Sequence, residues 1–194
     1  MIVLASKSMS RQTMLGNAGV SFEVIPANID ERALEAQLAD SAPADIARRL
    51  AGEKALAVAK GHPGRLVLGS DSLVTVEGQR FDKPASPQHA AQQLRYFSGR
   101  WMELHSAAAL FCGEEQLWQH HSLARLLVRP LSEEFIEFYL DAEWPDIGHC
   151  AGAFRIEGMG AQLFETIEGD MFTVLGMPLL GVLAALRDQG ELPR

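Results

Sequence analysis

The sequence is poor in cysteine and contains no long apolar segment. Its two cysteines, Cys112 and Cys150, lie far apart and form no Cys-x-x-Cys pair, which argues against a cysteine zinc site or a disulfide scaffold and favours two reduced thiols. The N-terminal apolar run stops at residue 5, too early for a signal peptide or a membrane-spanning helix. We therefore expect a cytoplasmic protein.

Positive charge is also in deficit, since the net charge at pH 7 is −8. This balance argues against nucleic acid or an anionic membrane surface as the main partner, although a small phosphate ligand needs only a few local cations. The motif GxxxxGK[ST] is absent, so a P-loop is not expected. The motifs GxGxxG and GxSxG are absent as well.

What is present is a chain of 194 residues, 47% apolar and 22% charged, which is ordinary for a soluble globular protein. This length predicts a single domain over residues 1–194 with a sizeable core. Helical and strand-like segments alternate, and several of the strands are long and joined by tight turns. This order favours a mixed α/β sheet over a purely parallel one.

Hydrophobic periodicity and turn residues locate the elements. Strands are predicted at residues 1–5, 21–29 and 65–71, in a hairpin at 72–81 turning at Glu77-Gly78, in a pair at 101–128 joined at Gly113-Glu114, and in a pair at 152–169 around Gly158 and Gly160. Helices are predicted up to residue 18, at 41–61 with Ser41 as cap, at 86–99 with Ser86 as cap, at 132–140 and at 178–188.

The stretch that joins the first strand to the first helix is rich in hydroxyl groups and cations. Ser6, Ser8 and Ser10 supply hydroxyl donors, and Arg11 can bind two phosphate oxygens at once. A helix N-terminus offers free N–H groups and a partial positive charge, so anions bind there. The alternative is an ordinary helix start, in which one serine caps the helix while Lys7 and Arg11 are solvated.

Lys54 and Asp71 are candidates for opposite charges in the interior. Lys54 lies on the inner face of the helix predicted at 41–61, so its ammonium group either extends to solvent or meets a buried anion. Asp71 follows an apolar strand, and a carboxylate at the carboxyl end of a central strand lies where ligands bind in open α/β sheets. Gly69 would let a ligand or another backbone approach. The simpler alternative makes Asp71 a turn former.

The other charged candidates lie in predicted loops. Lys83 precedes Pro84, which favours an extended conformation, and Glu31 follows the second strand beside Asp30. Each is most simply explained by solvent exposure. With Asp71, however, the two acids could bind a divalent ion through oxygen. Acids for a metal, together with cations and hydroxyls for phosphate, match Mg²⁺-assisted chemistry on a polyphosphate.

Five ordered segments resemble the Maf-like nucleoside triphosphate pyrophosphatases over nearly the whole chain. "LASKSMSR" stands in the place of the family's LASxSPRR pattern, "GSDS" in that of its GADT segment and "DKP" in that of its GKP segment. "SGRWMELHSAAALF" resembles the family's SG…H-T-x-x-x-L strand. "AGAFRIEGMGAQLFETIEGDMFTVLGMPL" matches the C-terminal signature most closely.

The resemblance implies an α/β fold with a long, bent, mixed β-sheet, flanking helices and two lobes around a central cleft, similar to the Maf and ITPase folds. It implies a house-cleaning hydrolase of nucleotide metabolism, which converts a nucleoside triphosphate to the monophosphate and pyrophosphate with Mg²⁺ or Mn²⁺, and a homodimer. It also implies residue roles: Asp71 as the catalytic acid, Ser6, Ser8, Arg11, Lys54 and Lys83 as substrate-binding residues, and Glu31 with Asp71 on the metal.

Departures from the family pattern bear on the substrate. The proline and first arginine of SPRR are Met9 and Ser10, the threonine of GADT is Ser72, and the IQG of the branch acting on UTP and dTTP is IEG, with Glu157 for glutamine. Glu157 and "GHCAGAF" look more like the branch acting on 7-methyl-GTP, whose positively charged base a carboxylate would balance. We therefore predict Ser10, Ser72 and Glu157 as specificity residues. A UTP/dTTP-type enzyme and a nucleotide-binding cell-division regulator with little turnover stay open as alternatives.

Overall fold

The structure, a computed structural model, describes residues 1–193 and contains a mixed seven-stranded sheet with flanking helices. The strands are β1 Ile2–Leu4, β2 Phe22–Val24, β3 Leu66–Val76, β4 Gln79–Phe81, β5 Trp101–Cys112, β6 Glu115–Val128 and β7 Phe164–Glu168. The helices are α1 Met9–Asn17, α2 Glu31–Gln37, α3 Pro43–Ala59, α4 Pro87–Phe97, α5 Glu133–Glu143, α6 Met171–Val174 and α7 Leu179–Asp188, with 3₁₀ turns at Asp146–His149 and Met159–Leu163.

The sheet is mixed, as the alternating pattern predicts. The strand order is β2-β1-β3-β5-β6-β7, with β4 paired to β3 outside this path. Strand β1 runs parallel to both β2 and β3, whereas β4 pairs antiparallel with β3 and β7 antiparallel with β6. Across residues 1–193, no helix has both the length and the apolar character that a membrane span requires.

The described residues group into two compact units. The first unit comprises Met1–Ser72, His105–Ser122 and the described residues from Met171 onward, and the second comprises Leu73–Leu104 and Leu123–Asp170. The single domain over residues 1–194, the bend of the sheet and the cleft between lobes stay predictions.

The core of the first unit is formed by the apolar faces of β1, β3, α1 and α7. Strand β1 is fully buried, as its uninterrupted sequence "IVL" predicts. The buried members of this core are Ile2, Leu4, Met14, Leu15, Val20, Leu68, Ala108, Leu110, Met177, Leu179, Val182, Ala185 and Leu186. Their burial fixes the ends of β1, β3 and α1, which carry the candidate polar residues.

Strand β3 and helix α3 touch at Gly69. A Cβ atom at this position would lie 2.2 Å from the carbonyl oxygen of Ala51 and 2.6 Å from the backbone nitrogen of Ala55. Only glycine permits such an approach, because any side chain would enter the helix backbone. Gly69 thus allows a neighbouring backbone to come close, as the sequence predicts, and that backbone belongs to α3.

The second unit contains the predicted hairpin and an aromatic cluster. Strands β3 and β4 turn at Glu77-Gly78, and both turn residues have positive φ. The rings of Phe81 and Phe97 pack edge to face with centroids 4.7 Å apart. Helices α4 and α5 are joined at the surface by the ion pair of Arg95 and Glu133.

Three sequence predictions of local structure are wrong. Ser41 does not cap α3, because Pro43 begins the helix and Ala42 takes the cap position. The strand predicted to end at residue 71 continues to Val76, so Asp71 lies inside β3. The pair of strands predicted around Gly158 and Gly160 reduces to β7 alone. A Cβ at Gly160 would lie 2.4 Å from the carbonyl oxygen of Arg155, so the chain folds back tightly there.

Helix α2 was not predicted, since its residues resemble a polar loop. Asp30 is its N-cap, and its carboxylate accepts a hydrogen bond of 3.0 Å from the Ala33 backbone nitrogen. Glu31 is therefore the first residue of a helix rather than a loop acid.

Gly69→Ala is expected to lower the free energy of unfolding by at least about 3 kcal/mol, because the added methyl group meets helix backbone that cannot rotate away. Urea unfolding of both proteins measures the change. Gly16→Ala is the control: Gly16 lies exposed in α1 with nothing near its added Cβ, so it should gain about 0.5–1 kcal/mol. A Gly69→Ala protein as stable as wild type would contradict the close contact.

Candidate functional site

Lys54 is the centre of a cluster of charged side chains in the first unit. From α3, its ammonium nitrogen lies 2.6 Å from Oδ1 of Asp71 on β3 and 2.8 Å from Oε2 of Glu31 on α2. The Lys54 and Asp71 side chains are only 12% and 9% exposed, whereas Glu31 is about half exposed. Of the two alternatives for Lys54, the structure shows the one in which the ammonium meets a buried anion.

The Asp71 carboxylate lies in a field of competing charges. Burial raises the pKa of Asp71 above its ordinary value, and the nearby carboxylate of Glu31 raises it further. The cations of Lys54 and Arg11 act in the opposite direction and favour the charged form. Burial has the largest effect, so Asp71 holds a proton more readily than an exposed aspartate does.

Arg11, on the first turns of α1, is held by two hydrogen bonds. Its Nε donates to the carbonyl oxygen of Gly176 at 2.9 Å, and its Nη1 donates to Oγ of Ser6 at 3.2 Å. Burial lowers the pKa of Arg11, while the charges of Asp71 and Glu31 raise it. Arg11 therefore lies within electrostatic reach of both acids that contact Lys54.

Of the serines between β1 and α1, one caps the helix and another contacts Arg11. Ser8 is the N-cap of α1 and accepts a hydrogen bond from the Arg11 backbone nitrogen at 3.4 Å. Ser6 is buried, and its Oγ accepts from the Ser8 backbone nitrogen at 3.2 Å as well as from Arg11. Capping is therefore present. Capping does not account for the side-chain contact between Arg11 and the buried Ser6.

Two predicted specificity residues contact other parts of the first unit. Ser10 donates a hydrogen bond of 2.9 Å to the carbonyl oxygen of Leu175. The hydroxyl oxygens of Ser72 and Ser106 are 3.0 Å apart, and Ser106 in turn donates to the carbonyl oxygen of Thr173 at 2.9 Å. Ser10 thus connects to the residue that follows α6, and Ser72 connects through Ser106 to α6 itself.

The other two predicted site residues belong to the second unit. Lys83 is exposed in the loop after β4, and Gln93 holds this loop by donating to the Asp82 carbonyl oxygen at 2.9 Å. Burial raises the pKa of the Cys150 thiol, the carboxylate of Glu157 raises it further, and the ammonium of Lys83 lowers it. Lys83 and Glu157 therefore both lie near the Cys150 thiol in the second unit, and their opposite charges shift its pKa in opposite directions.

The structure brings six predicted residues together in the first unit: Ser6, Ser8, Arg11, Glu31, Lys54 and Asp71. Sequence reasoning missed Ser70, Ser106 and the carbonyl of Gly176, which contact the same segments. No sequence signal identifies a backbone carbonyl as a ligand, because every residue has one. The glycine itself falls within the C-terminal signature "LGMPL".

A family model described as Maf-like protein matches residues 1–189. The chain belongs to the Maf-like protein family. A relative from Rhodopseudomonas palustris is 48% identical over 191 residues, covering 98% of this chain and 95% of the relative, and one from Nitrobacter hamburgensis is 46% identical over 191 residues, with the same coverage. Both are named nucleoside triphosphate pyrophosphatase.

Among solved structures, this Maf-like chain is similar to a HAM1 protein from Coxiella burnetii. The identity is 21%, the TM-score is 0.46, and the match covers 66% of this chain and 72% of that one.

The donor set of the cluster suits a divalent ion. Glu31 and Asp71 offer hard carboxylate oxygens that already meet at one cation, the ammonium of Lys54. Within residues 1–193, no group of three or more His, Cys, Asp or Glu side chains is arranged for a metal. Two carboxylates nevertheless fit Mg²⁺, which is commonly held by one or two of them together with water and substrate phosphates.

Lys54→Met is expected to lower the free energy of unfolding by about 3 kcal/mol at pH 8, because it leaves the Asp71 carboxylate buried without its nearest cation. Adding Asp71→Asn to this variant should recover most of the loss. Arg49→Met on the same helix is the control, since it breaks a pair with Glu53 in which the Arg49 side chain is 60% exposed, and it should cost less than about 1 kcal/mol. Urea unfolding measures all four proteins, and equal losses in Lys54→Met and Arg49→Met would contradict the buried pairing.

Proposed function

We propose that this Maf-like protein hydrolyses a nucleoside triphosphate to the monophosphate and pyrophosphate. The observation that carries the proposal is the buried carboxylate of Asp71, held 2.6 Å from Lys54 and within electrostatic reach of Arg11. A buried acid with a raised pKa beside two cations is an arrangement suited to proton transfer next to a polyanion. The names of the curated relatives support the same activity.

The cations and hydroxyls of the site bind the triphosphate in this proposal. Arg11 has a planar guanidinium group that can bind two phosphate oxygens, and Ser6 and Ser8 lie beside it at the start of α1. Lys54 offsets further charge on the triphosphate. Lys83, from the second unit, is proposed to act on the phosphates as well.

Asp71 acts as the base. It accepts a proton from the water whose oxygen forms a new bond to the α-phosphorus, while the bond from that phosphorus to the bridging oxygen breaks and pyrophosphate leaves. A pKa raised by burial brings the carboxyl closer to neutral pH, where a base accepts a proton more effectively. Lys54 lowers the pKa of Asp71 and so favours the charged form that this role requires.

Glu31 and Asp71 would hold the Mg²⁺ or Mn²⁺ ion that such chemistry uses. When bound, a divalent ion supplies charge neutralisation at the phosphate oxygens and a lower pKa for water. Lys54 contacts both carboxylates, so it keeps them close to each other when no metal ion is bound.

The base of the substrate is proposed to be recognised through Glu157. A carboxylate balances the positive charge of an N7-methylated guanine, whereas a neutral pyrimidine offers no such charge. The turn that carries Glu157 is held by Arg155, which donates to the buried Glu143 at 3.1 Å and to Asp146 at 2.7 Å. These bonds support the proposal, because they hold the side chain two residues before Glu157 and selective recognition needs a well-ordered support.

Asp71→Asn is expected to retain nucleotide binding and to lower kcat by about 10²–10⁴-fold, because the amide cannot accept the proton. Release of pyrophosphate from a panel of nucleoside triphosphates with Mg²⁺ or Mn²⁺ measures turnover, and calorimetric titration measures binding. The control is Asp188→Asn, an exposed acid at the end of α7, which should leave both unchanged. Turnover like that of wild type in Asp71→Asn would contradict the assignment.

The same variant separates a chemical effect from misfolding. Because burial raises the pKa of Asp71, its charged form is less stable in the folded than in the unfolded chain, so stability is lost as pH rises through this pKa. In metal-free Asp71→Asn at pH 8, the loss of this penalty opposes the loss of a partner for Lys54, which still pairs with Glu31, so the melting temperature should fall less than in Lys54→Met. Binding without turnover by the wild-type protein would instead favour a nucleotide-binding regulator.

Glu157→Gln is expected to lower the ratio of kcat/KM for 7-methyl-GTP to kcat/KM for UTP by about tenfold, because an amide does not balance the charge of the methylated base. Steady-state kinetics on both nucleotides measures this ratio. Glu165→Gln, an exposed acid on β7 of the same unit, is the matched control and should not change it. An unchanged ratio in Glu157→Gln would exclude its role in choosing the base.

A further inference from the structure

The carbonyl oxygen of Gly176 accepts two side-chain hydrogen bonds from other elements of the first unit. Arg11 Nε donates to it at 2.9 Å, and Ser70 Oγ, from the residue before Asp71, donates at 3.3 Å. One backbone atom is therefore in contact with both the cation at the start of α1 and the strand that carries the buried acid.

The two bonds of Arg11 fix the direction of its guanidinium plane. The Nε bond to Gly176 and the Nη1 bond to Ser6 use donors in one rigid plane, so together they prevent the group from rotating about its long side chain. A guanidinium group binds two phosphate oxygens at once only if its plane is correctly oriented, whereas a compact ammonium group has no such requirement.

The segment that supplies the carbonyl is itself anchored. Ser10 donates to the carbonyl oxygen of Leu175 and Ser106 to that of Thr173, each at 2.9 Å. The position of the Gly176 carbonyl is thus set by hydrogen bonds from α1 and β5, and not by its own residue alone.

Glycine is required here by backbone conformation rather than by space. Gly176 has φ +101°, a value that residues with side chains rarely adopt. A Cβ at this position would lie 3.8 Å from Arg11 Nη2 and 3.8 Å from Ser72 Cβ, which is ordinary contact. Alanine would fit sterically, but its backbone would relax and turn the carbonyl away from Arg11.

We propose that Gly176 is a positioning residue, whose carbonyl orients the Arg11 guanidinium group for a triphosphate. The inference rests on the proposed function in that it assigns Arg11 to the phosphates. It adds that the affinity for the triphosphate depends on a backbone carbonyl from the far end of the chain.

Gly176→Ala is expected to raise KM for the nucleotide about tenfold with kcat changed less than about threefold, because a misdirected phosphate contact weakens binding in the ground and transition states alike. Gly19→Ala is the matched control. Gly19 also has positive φ (+73°), lies just beyond the other end of α1 and has open space at its Cβ, so alanine there also strains the backbone but does not contact Arg11. An equal rise of KM in both variants would overturn the proposal.

A double-mutant cycle tests whether Gly176 acts through Arg11. If it does, Arg11→Ala and the double variant Arg11→Ala/Gly176→Ala should have the same kcat/KM, since the carbonyl then has no guanidinium group to orient. If the two losses multiply instead, Gly176 acts on its own and the proposal fails.

Nuclear magnetic resonance gives a readout that needs neither activity nor a folded Gly176 variant. In wild-type protein, the Arg11 Nε–H signal, assigned by its loss in Arg11→Lys, should exchange with water at least about tenfold more slowly than that of exposed Arg32. Equal exchange rates would overturn the positioning role. Slow exchange in a protein that releases no pyrophosphate would instead support the Gly176 contact and reject the proposed function.

Discussion

The contact of Gly69 with the backbone of α3 is the constraint on which the site depends. Side chains alternate along a strand, so Gly69 and Asp71 point to the same face of β3. The missing side chain at Gly69 lets α3 lie directly on the strand, and this brings Lys54 within 2.6 Å of the Asp71 carboxylate. A wider spacing would leave Asp71 buried without its cation, which costs several kcal/mol.

The charges of the cluster around Lys54 are incompletely balanced. Two carboxylates share one ammonium, and burial still outweighs the cations at Asp71, so that its pKa is raised. A site built only for stability would separate the two acids or neutralise them fully. The remaining imbalance leaves Asp71 with a raised pKa and with two cations beside it, which is the arrangement on which the proposed hydrolysis depends.

The sequence alone could predict the mixed sheet, most helix positions and the inward direction of Lys54, because hydrophobic periodicity determines each of them. It could not predict that β3 continues through Asp71. The polar run "GSDS" looks like the end of a strand, and it remains a strand only because Asp71, Ser70 and Ser72 each find a polar partner elsewhere in the first unit. Such partners are tertiary and leave no trace in local sequence.

The polar segment Ser70–Asp71–Ser72 contacts several elements of the first unit because its side chains alternate between the two faces of β3. Ser70 and Ser72 point away from α3, and their contacts lead to Gly176 and, through Ser106, to Thr173. Asp71 between them faces Lys54. Any shift of β3 along its axis would therefore disturb two contacts at once: the pair of Asp71 with Lys54, and the bond of Ser70 to the carbonyl that also accepts from Arg11. The charged groups of the site thus share contacts with one strand, although they come from distant parts of the sequence.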